Sequence, residues 1–569
     1  MARKLAITIS GAVSLGSYES GVIWEVLHAI KQHNAWADAN SPGERIEIDV
    51  MTGASAGGMT VAMIAQRLLY DGASMDQPYN NPLFDAWVKK VDIEDLLQRD
   101  PGFAPGLSVL SSNLVIQISQ EALMSRYGEA TVSPADPHPA LSKDNAMLQV
   151  GFALSNLNGV DYRRPTASGN SFVYTERSDG MLRTLAGDSC DTKVVWEEIR
   201  GVAVACGAFP AMFRVQDLRR KLSDFVADNL PQGSVDPLVK TPWENPDQVA
   251  TFAYTDGGVF HNQPLGMAKN LVDKLGDGHT DAERRGYLFI APQPKTAQDT
   301  PWGADPKNSF SAANATFSVF LPHLASSIIS QSGFRDWITA EEVNDKIRRL
   351  DLRAGQLMQM FQSDALAPAQ TMPVTDALIR ALFSTVTDPG DTPAKAREQL
   401  RLNYSAEYDG LVQRKGQTAS DAWVDAVLVL ERGAGLQEKD AMYIFDFVAD
   451  PSLLASDALE AFAGFFDIRY RKHDYDYGRS KAQEMLTKYS TEKGVFERLH
   501  WMRTPIDPID AGLNGLTMDK ADPAIRRRMY NQLSDAAETL LEEEGLNVML
   551  RKPLIWWFVQ PKIKKLLAL

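Results

Sequence analysis

Apolar and polar residues change their spacing several times along the first half of the chain. Residues 5–10 and 46–50 are short apolar stretches typical of buried strands. Each leads into a run of small residues and then into a helix whose apolar positions recur every three or four residues. Further strands are predicted at 146–154, 251–254 and 285–290. Strands that alternate with helices in this way predict an α/β fold, a sheet covered by helices.

The pattern of apolar and turn-forming residues changes in two parts of the chain. Residues 71–145 contain turn pairs such as Gln77-Pro78 and Asp100-Pro101, which break short helical pieces and indicate an insertion that serves as a lid or substrate wall. A polar stretch follows the strand at 146–154, and a buried helix is predicted within 194–213. Beyond about residue 296 the pattern is mostly helical. The sequence thus predicts one unit of 1–295, with its insertion at about 71–145, and a mainly helical region of 296–569.

Composition narrows the function classes. The chain has 569 residues, enough for two to four domains, with 44% hydrophobic and 23% charged residues, values ordinary for a water-soluble protein. A net charge of −15 argues against general nucleic-acid binding, which needs a basic surface. The two cysteines form no disulfide framework and fit a reducing cytosol. We find no signal peptide and no apolar run long enough to span a bilayer.

The stretch of 46–69 carries the strongest chemical signal. A strand leads into Gly53-Ala54-Ser55-Ala56-Gly57, and a helix follows. Glycines in a G-x-S-x-G turn let the chain bend sharply, so that the serine hydroxyl projects and the helix N-terminus offers free amides to negative charge. An ordinary strand–helix turn remains the alternative until a partner for Ser55 is found.

A second small-residue loop runs from Ser10 to Gly16. It lies between a strand and a helix, where loop and first-turn amides form an anion cradle. A phosphate loop is disfavoured because no Gly-Lys-Ser/Thr follows, and the spacing of its glycines does not fit a dinucleotide fingerprint. An oxyanion hole and a close-packed turn stay open.

Asp256 ends the strand predicted at 251–254 and begins an Asp-Gly-Gly turn. Ligands of open α/β sheets bind at the carboxyl ends of strands, so Asp256 is a candidate functional residue, although Asp-Gly-Gly often forms only a turn. Cys206 is predicted to be a packing residue of the helix within 194–213, because no basic neighbour lowers its pKa.

Two C-terminal segments stand out. Residues 464–479 are aromatic and charged, with His473 beside Asp474, and are predicted to be a surface-packing cluster rather than a metal or triad site. Residues 546–569 combine tryptophan with lysine and contain no acidic residue. Such a composition suits a membrane interface, and it equally suits a helix that closes the core.

Taken in order, the motifs resemble those of the patatin-like phospholipase family. A glycine-rich loop, G-x-S-x-G at 53–57 and Asp256-Gly257-Gly258 are followed by Asn262-Gln263-Pro264, and 203–213 resembles the family's small-residue stretch that ends in Phe-Pro. The resemblance covers about 4–294. Residues 462–479 also resemble a segment of large bacterial members.

This resemblance implies a three-layer α/β/α fold with a mainly parallel sheet and a Ser–Asp dyad. Ser55 is then the nucleophile, carried on the elbow glycines Gly53 and Gly57, and Asp256 is its general base. The chemistry would be hydrolysis of lipid esters, as in a lipase or phospholipase A, through an acyl-serine intermediate. The oxyanion hole would be formed by backbone amides, those of Gly11, Ala12, Val13 and Ala56.

The loop departs from the family pattern, which has three consecutive glycines and a basic residue before the last glycine. Here Gly11 is followed by Ala12 and Val13, and Leu15 replaces the basic residue. Alanine and valine disfavour positive φ, so this loop leaves open a catalytically silent scaffold or a lipid-binding protein. A Ser–His–Asp hydrolase is a further alternative, for which the sequence supplies the histidines His261, His323, His473 and His500.

The remaining expectations concern partners and location. The substrate would be a lipid ester or phospholipid, with peripheral membrane contact through 546–569 and a cytoplasmic location at the inner membrane surface. No cofactor, metal or nucleic acid is implied, and no acidic loop has the spacing of calcium ligands. The oligomeric state is not predicted.

Overall fold

A computed structural model represents the protein. It describes residues 2–98, 100–103, 107–128, 134–165, 170–187, 191–210, 212–221, 223–226, 248–275, 284–292, 335–384, 391–436, 442–457, 461–543, 547–567 and 569.

One mixed sheet organises the described residues. Its strands are β1 (Arg3–Ile9), β2 (Ile46–Gly53), β3 (Met147–Pro165), β4 (Ser171–Ala186), β5 (Gln216–Lys221), β6 (Val249–Asp256), β7 (Arg285–Ala291) and β8 (Ile444–Val448).

The helices that surround the sheet come from the whole length of the chain. They are α1 (Gly16–Asn40), α2 (Ala56–Tyr70), α3 (Pro82–Phe84), α4 (Ile93–Leu96), α5 (Ser112–Met124), α6 (Lys193–Cys206), α7 (Ser223–Val226), α8 (Leu265–Lys274), α9 (Arg335–Gln362), α10 (Pro368–Phe383), α11 (Pro393–Asn403), α12 (Ser405–Lys415), α13 (Gln417–Gly433), α14 (Ile468–Tyr489), α15 (Pro523–Glu543), α16 (Val548–Leu554) and α17 (Gln560–Leu566). Two π-helical turns lie at Asp85–Lys90 and Ile555–Val559, and 3₁₀ turns at Val13–Leu15, Gly257–Val259 and Ala463–Phe466.

The sheet order is β5-β6-β3-β2-β1-β7-β8, and β4 pairs with β3 outside this path. The central pairs β1–β2, β1–β7, β2–β3 and β7–β8 are parallel. The pairs β3–β4, β3–β6 and β5–β6 are antiparallel. The predicted α/β class with a mainly parallel sheet is therefore confirmed.

Side chains of β1 alternate between the two faces of this sheet. Leu5, Ile7 and Ile9 belong to the large core that also holds α1 and α2, whereas Ala6 packs into a second cluster with α8. Since successive strand residues point to opposite faces, this alternation puts helices on both sides and gives three layers.

The strand predicted at 146–154 is longer than expected, and a second strand that was not predicted lies within the polar stretch that follows it. β3 continues to Pro165 and pairs with β4 in a long antiparallel hairpin. In the outer part of this hairpin both faces of β4 are exposed, as at the adjacent residues Phe172 and Val173, so this part carries many polar residues and lacks the apolar signal of a buried strand.

Part of the chain beyond residue 295 forms a helical cluster of its own, and part of it packs on the main sheet and its helices. Residues of α9 to α13 form a separate apolar cluster around Trp423, whereas β8 extends the main sheet and α14 packs lengthwise on α1. The mainly helical character is confirmed. The boundary at 295 stays a prediction, because a helical cluster, a sheet strand and a buried helix all follow it.

The surface cluster predicted at 464–479 is wrong, because this segment begins α14 and is buried. Arg471, His473, Asp474 and Arg479 are each at most 4% exposed. Their charges are paired inside the protein. Arg479, for example, donates to Glu25 of α1 at 3.1 Å. Satisfied charges of this kind can be buried although their composition suggests solvent.

The C-terminal segment packs on the body on one side and faces outward on the other. Leu567 is fully buried in the main core, while Trp556 is 69% exposed. Among the described helices, none has the length and apolar composition needed to cross a membrane.

The close packing of α14 against α1 leads to a stability prediction. A Cβ atom at Gly21 would collide with the carbonyl oxygen of Tyr475. We expect Gly21→Ala to lower the free energy of unfolding by about 1–3 kcal/mol, the usual effect of overpacking. Gly355 of α9 is the matched control, because a Cβ there meets nothing within 4 Å and Gly355→Ala should be neutral or stabilising. Equal effects in chemical denaturation would contradict the predicted contact.

Candidate active site

Ser55 lies at a sharp bend between β2 and α2. Its φ of 51° is in the left-handed region, where a non-glycine residue is strained. Gly53 and Gly57 have to be glycines, because the neighbouring backbone leaves no room for a Cβ atom. A Cβ at Gly53 would lie 2.5 Å from the carbonyl group of Gly57, and one at Gly57 would collide with the backbone of Ile9. The elbow geometry predicted for 53–57 is therefore present.

Asp256 reaches Ser55 because β2 and β6 meet end to end along the same edge of β3. Gly53 at the end of β2 pairs with Phe152, and Asp256 at the end of β6 pairs with Leu154 two residues further on. The two strands approach from opposite directions, since β2 is parallel and β6 antiparallel to β3. Asp256 thus ends a strand as predicted, but in an antiparallel pairing rather than at the edge of a parallel sheet.

The two side chains are joined by a short hydrogen bond. Ser55 Oγ donates to Asp256 Oδ2 at 2.6 Å, and the amide of Gly258 donates to Asp256 Oδ1 at 2.7 Å. Asp256 is 2% exposed and Ser55 is 7% exposed. Burial raises the pKa of Asp256 to about 7, against the lowering effect of these two hydrogen bonds. A carboxyl group with this pKa can accept a proton near neutral pH.

The small-residue loop runs beside this pair. The amide of Gly11 donates to the carbonyl oxygen of Asn262 at 3.1 Å, so it is already satisfied. Among the hydrogen bonds of the described residues, none uses the amides of Ala12, Val13 or Ala56 as donors. Val13 has a φ of 50°, a strained conformation for a β-branched residue. The free amides are the groups that could hold an oxyanion.

An apolar cavity opens at Ser55. Its volume is about 820 Å³, which includes open space that is continuous with solvent. Its walls are almost entirely apolar, and many belong to the segment of 71–145 that the sequence predicts as an insertion. The lining residues include Val13, Met59, Met63, Ala86, Trp87, Val91, Leu96, Val115, Ile118, Leu123, Phe209, Phe213 and Phe465. Its apolar lining is compatible with a hydrocarbon chain.

Comparison with known proteins agrees with this geometry. Residues 7–269 match the family model of the patatin-like phospholipases. Over these residues the chain is similar to a patatin-like phospholipase domain.

Two individual proteins are similar to the chain at a lower level. The uncharacterized protein y4iI of Sinorhizobium fredii (strain NBRC 101917 / NGR234) is 24% identical over 362 residues, which cover 51% of this chain and 49% of that protein. The chain thus spans about half the length of this curated relative. The crystal structure of VipD from Legionella pneumophila covers 100% of this chain and 85% of its own, with 11% identity and a TM-score of 0.22.

Among the described residues, no histidine is hydrogen-bonded to Ser55 and none lines the cavity. The hydroxyl group of Ser55 is bonded to Asp256. His473 is bonded to Asp474 and Asn514 in α14, and His500 stacks on Trp36. His261 follows the Asp-Gly-Gly turn, but does not line the cavity. His323 lies outside the described residues.

Cys206 packs behind the pair, as predicted. It is fully buried, and the pKa of its thiol is raised well above the ordinary value by burial and by the Asp256 carboxylate. A protonated, inaccessible thiol is not a nucleophile. Cys190 lies outside the described residues. In the part of the chain that is described, no group of three or more metal-ligating side chains is present.

One wall residue of the cavity comes from outside the range that matches the family model, and the motifs of the sequence do not point to it. Phe465, which lines the cavity, lies almost 200 residues beyond the matched range of 7–269. The pattern around it is a short aromatic run, and an aromatic run does not reveal which distant surface it covers. Its resemblance to a segment of large bacterial patatin relatives was the one available signal.

The raised pKa of Asp256 predicts a pH-dependent effect on stability. A carboxyl group whose pKa is higher in the folded than in the unfolded chain stabilises the fold below the unfolded value of about 3.8, and this contribution is lost as pH rises through about 7. We expect Asp256→Asn, which stays neutral, to gain stability relative to wild type by a few kcal/mol between about pH 4 and pH 8, since one pKa unit equals about 1.4 kcal/mol. Urea unfolding at both pH values measures this difference. A difference that does not change with pH would contradict a raised pKa.

Proposed function

We propose that the protein is a serine acyl hydrolase that cleaves fatty-acyl esters of lipids, with a Ser–Asp dyad. Membership of residues 7–269 in the patatin-like phospholipase family supports lipid ester substrates. The observation that carries the proposal is the 2.6 Å hydrogen bond from Ser55 to buried Asp256 at the mouth of an apolar cavity.

In the proposed reaction, Ser55 Oγ attacks the ester carbonyl carbon while Asp256 accepts the hydroxyl proton. The tetrahedral oxyanion is held by the free amides of Ala12, Val13 and Ala56, and the acyl chain occupies the cavity. Asp256 then gives its proton to the departing alcohol, which leaves an acyl-serine. Water attacks this ester, Asp256 takes its proton, and the proton returns to Ser55 Oγ as the fatty acid is released.

The alternative is a catalytically silent scaffold or a lipid-binding protein. One observation favours it: Val13 holds a positive φ where a glycine would be unstrained. A loop of this kind keeps its backbone donors but depends on neighbouring contacts for its shape. The same ester assay separates the two functions.

Ester hydrolysis by wild type, Ser55→Ala and Asp256→Asn tests the dyad. On p-nitrophenyl esters of graded chain length we expect activity in wild type and a loss of at least about 10³-fold in each variant. The rate of wild type should increase with pH and level off above about 7, because ionised Asp256 is the base. Lys346→Ala, an exposed residue of α9, is the surface control. Inactivity of folded wild type on every ester and on phospholipid vesicles would favour the scaffold.

We also propose that 546–569 makes peripheral contact with an anionic membrane, on the cytoplasmic side. The exposed side of this segment carries Trp556, Lys552, Lys562 and Lys565 and no acidic residue, in a protein of net charge −15. Tryptophan and lysine together favour the bilayer interface. Substitution is a cleaner test than truncation, because truncation would remove Leu567 from the core.

Sedimentation with vesicles of equal parts phosphatidylglycerol and phosphatidylcholine measures this contact. Lys562→Gln with Lys565→Gln should weaken binding about 30-fold, at about 1 kcal/mol for each lysine. The matched control is Lys346→Gln with Lys395→Gln, a pair of exposed lysines from α9 and α11. Equal binding by both double variants would show that this segment does not touch the vesicle.

A further inference from the structure

Residues 461–466, from the C-terminal half of the chain, press directly on the small-residue loop of the candidate active site. The amide of Ser14 donates to the carbonyl oxygen of Ala461 at 3.2 Å, and the Ser14 hydroxyl donates to the same oxygen. Ser14 follows Val13, whose amide is a proposed oxyanion donor, and it is fully buried. A single carbonyl group thus anchors the residue next to this donor.

Each side of this contact contains a strained residue, Val13 next to Ser14 and Ala461 itself. Val13 has a φ of 50° and Ala461 a φ of 65°, and neither is a glycine. Conformations of this kind are strained and persist only where surrounding contacts enforce them. Gly464 allows the close approach, because a Cβ there would lie 2.5 Å from Ser14 Oγ and 2.6 Å from Ser456 Oγ.

The segment is itself held by Arg471, a buried residue of α14. Arg471 Nη1 donates to the carbonyl oxygens of Gly464 and Phe465 at 2.8 and 3.0 Å. Its Nε donates to the carbonyl oxygen of Val88 at 2.8 Å, and its Nη2 lies 3.5 Å from Asp92. Arginine offers several donors in a fixed plane, so one side chain can fix two segments relative to each other.

Those two segments border the cavity. Phe465 lines it from the C-terminal side, and Trp87 lines it from the π-helical turn that contains Val88. On the other side of the 461–466 segment, the Asp474 carboxylate accepts the amides of Ala455 and Ser456 at 2.7 and 3.0 Å. Side chains of α14 therefore hold Gly464 and Phe465 directly, and they also hold Ser456, which lies beside Gly464.

We propose that Arg471 is a positioning residue for the reaction: through residues 461–466 and Ser14 it holds the oxyanion loop in its strained shape and joins the two walls of the cavity. This inference rests on the proposed function for its catalytic consequence. Its structural part, the coupling of Arg471 to the loop, does not depend on activity. The charged segment of α14 thus completes a site whose reactive residues all lie within 11–256.

Three full-length variants test this coupling. Arg471→Lys keeps the charge and loses the planar fork, and Ser14→Ala removes only the hydroxyl bond to Ala461. Arg469→Lys is the matched control, because Arg469 lies on the same helix but is exposed and bonded to Asp467. Each variant is measured for kcat and KM on the best p-nitrophenyl ester, for thermal unfolding, and for amide hydrogen exchange of the peptide that spans 10–17.

The expected result is a loss in kcat with KM within about twofold of wild type, since oxyanion contacts act in the transition state. We expect about 3- to 10-fold for Ser14→Ala, the effect of one hydrogen bond, and a larger loss for Arg471→Lys. Both should speed exchange within 10–17, while Arg469→Lys matches wild type. If Arg471→Lys does not fold, Ser14→Ala decides.

Unchanged exchange of 10–17 in folded Arg471→Lys and Ser14→Ala would overturn the proposal, as would a change in KM alone. Inactive wild type would refute the proposed function instead, and the exchange measurement would then decide the coupling by itself. Faster exchange with undiminished kcat in an active enzyme would overturn the positioning role.

Discussion

The site depends on the meeting of β2 and β6 along one edge of β3. These strands enter from opposite directions and end two residues apart, with Gly53 opposite Phe152 and Asp256 opposite Leu154. Backbone pairing therefore sets the distance between the serine and the carboxylate, and the side chains need little freedom to reach 2.6 Å. A residue inserted into either strand would turn the side chain to the other face of the sheet.

Burial gives this pair its chemical character. An aspartate in water has a pKa near 3.9 and is a weak base at neutral pH. The fold removes Asp256 from solvent and leaves it two hydrogen-bond donors, Ser55 Oγ and the amide of Gly258, which are too few to offset the loss of hydration. The surroundings that exclude water from Asp256 also form an apolar cavity wall, so the basicity of the carboxylate and the apolar character of the cavity have one physical origin.

Features that depend on local sequence could be predicted, and features that depend on distant pairing could not. The elbow at Ser55, the strand end at Asp256 and five strands are visible as short patterns. β4 was missed because an exposed hairpin strand is polar, and β8 because five residues carry too little periodicity. The charged residues of α14 were predicted to lie at the surface. The sequence does not show that Arg479 donates a hydrogen bond to Glu25, or that Arg471 donates to backbone carbonyl oxygens, and these bonds allow both side chains to be buried.

The loop of the candidate oxyanion hole is in contact with a segment from the C-terminal half of the chain. A run of glycines adopts positive φ without strain, so a loop made of glycines can keep its shape by itself. With Val13 in this conformation, the strain has to be offset by contacts from outside the loop, and Ala461, with Arg471 behind it, supplies contacts next to Val13. Replacing a glycine by valine makes the loop dependent on a distant segment. It also adds an apolar side chain to the cavity wall beside Ser55, where an acyl chain would begin.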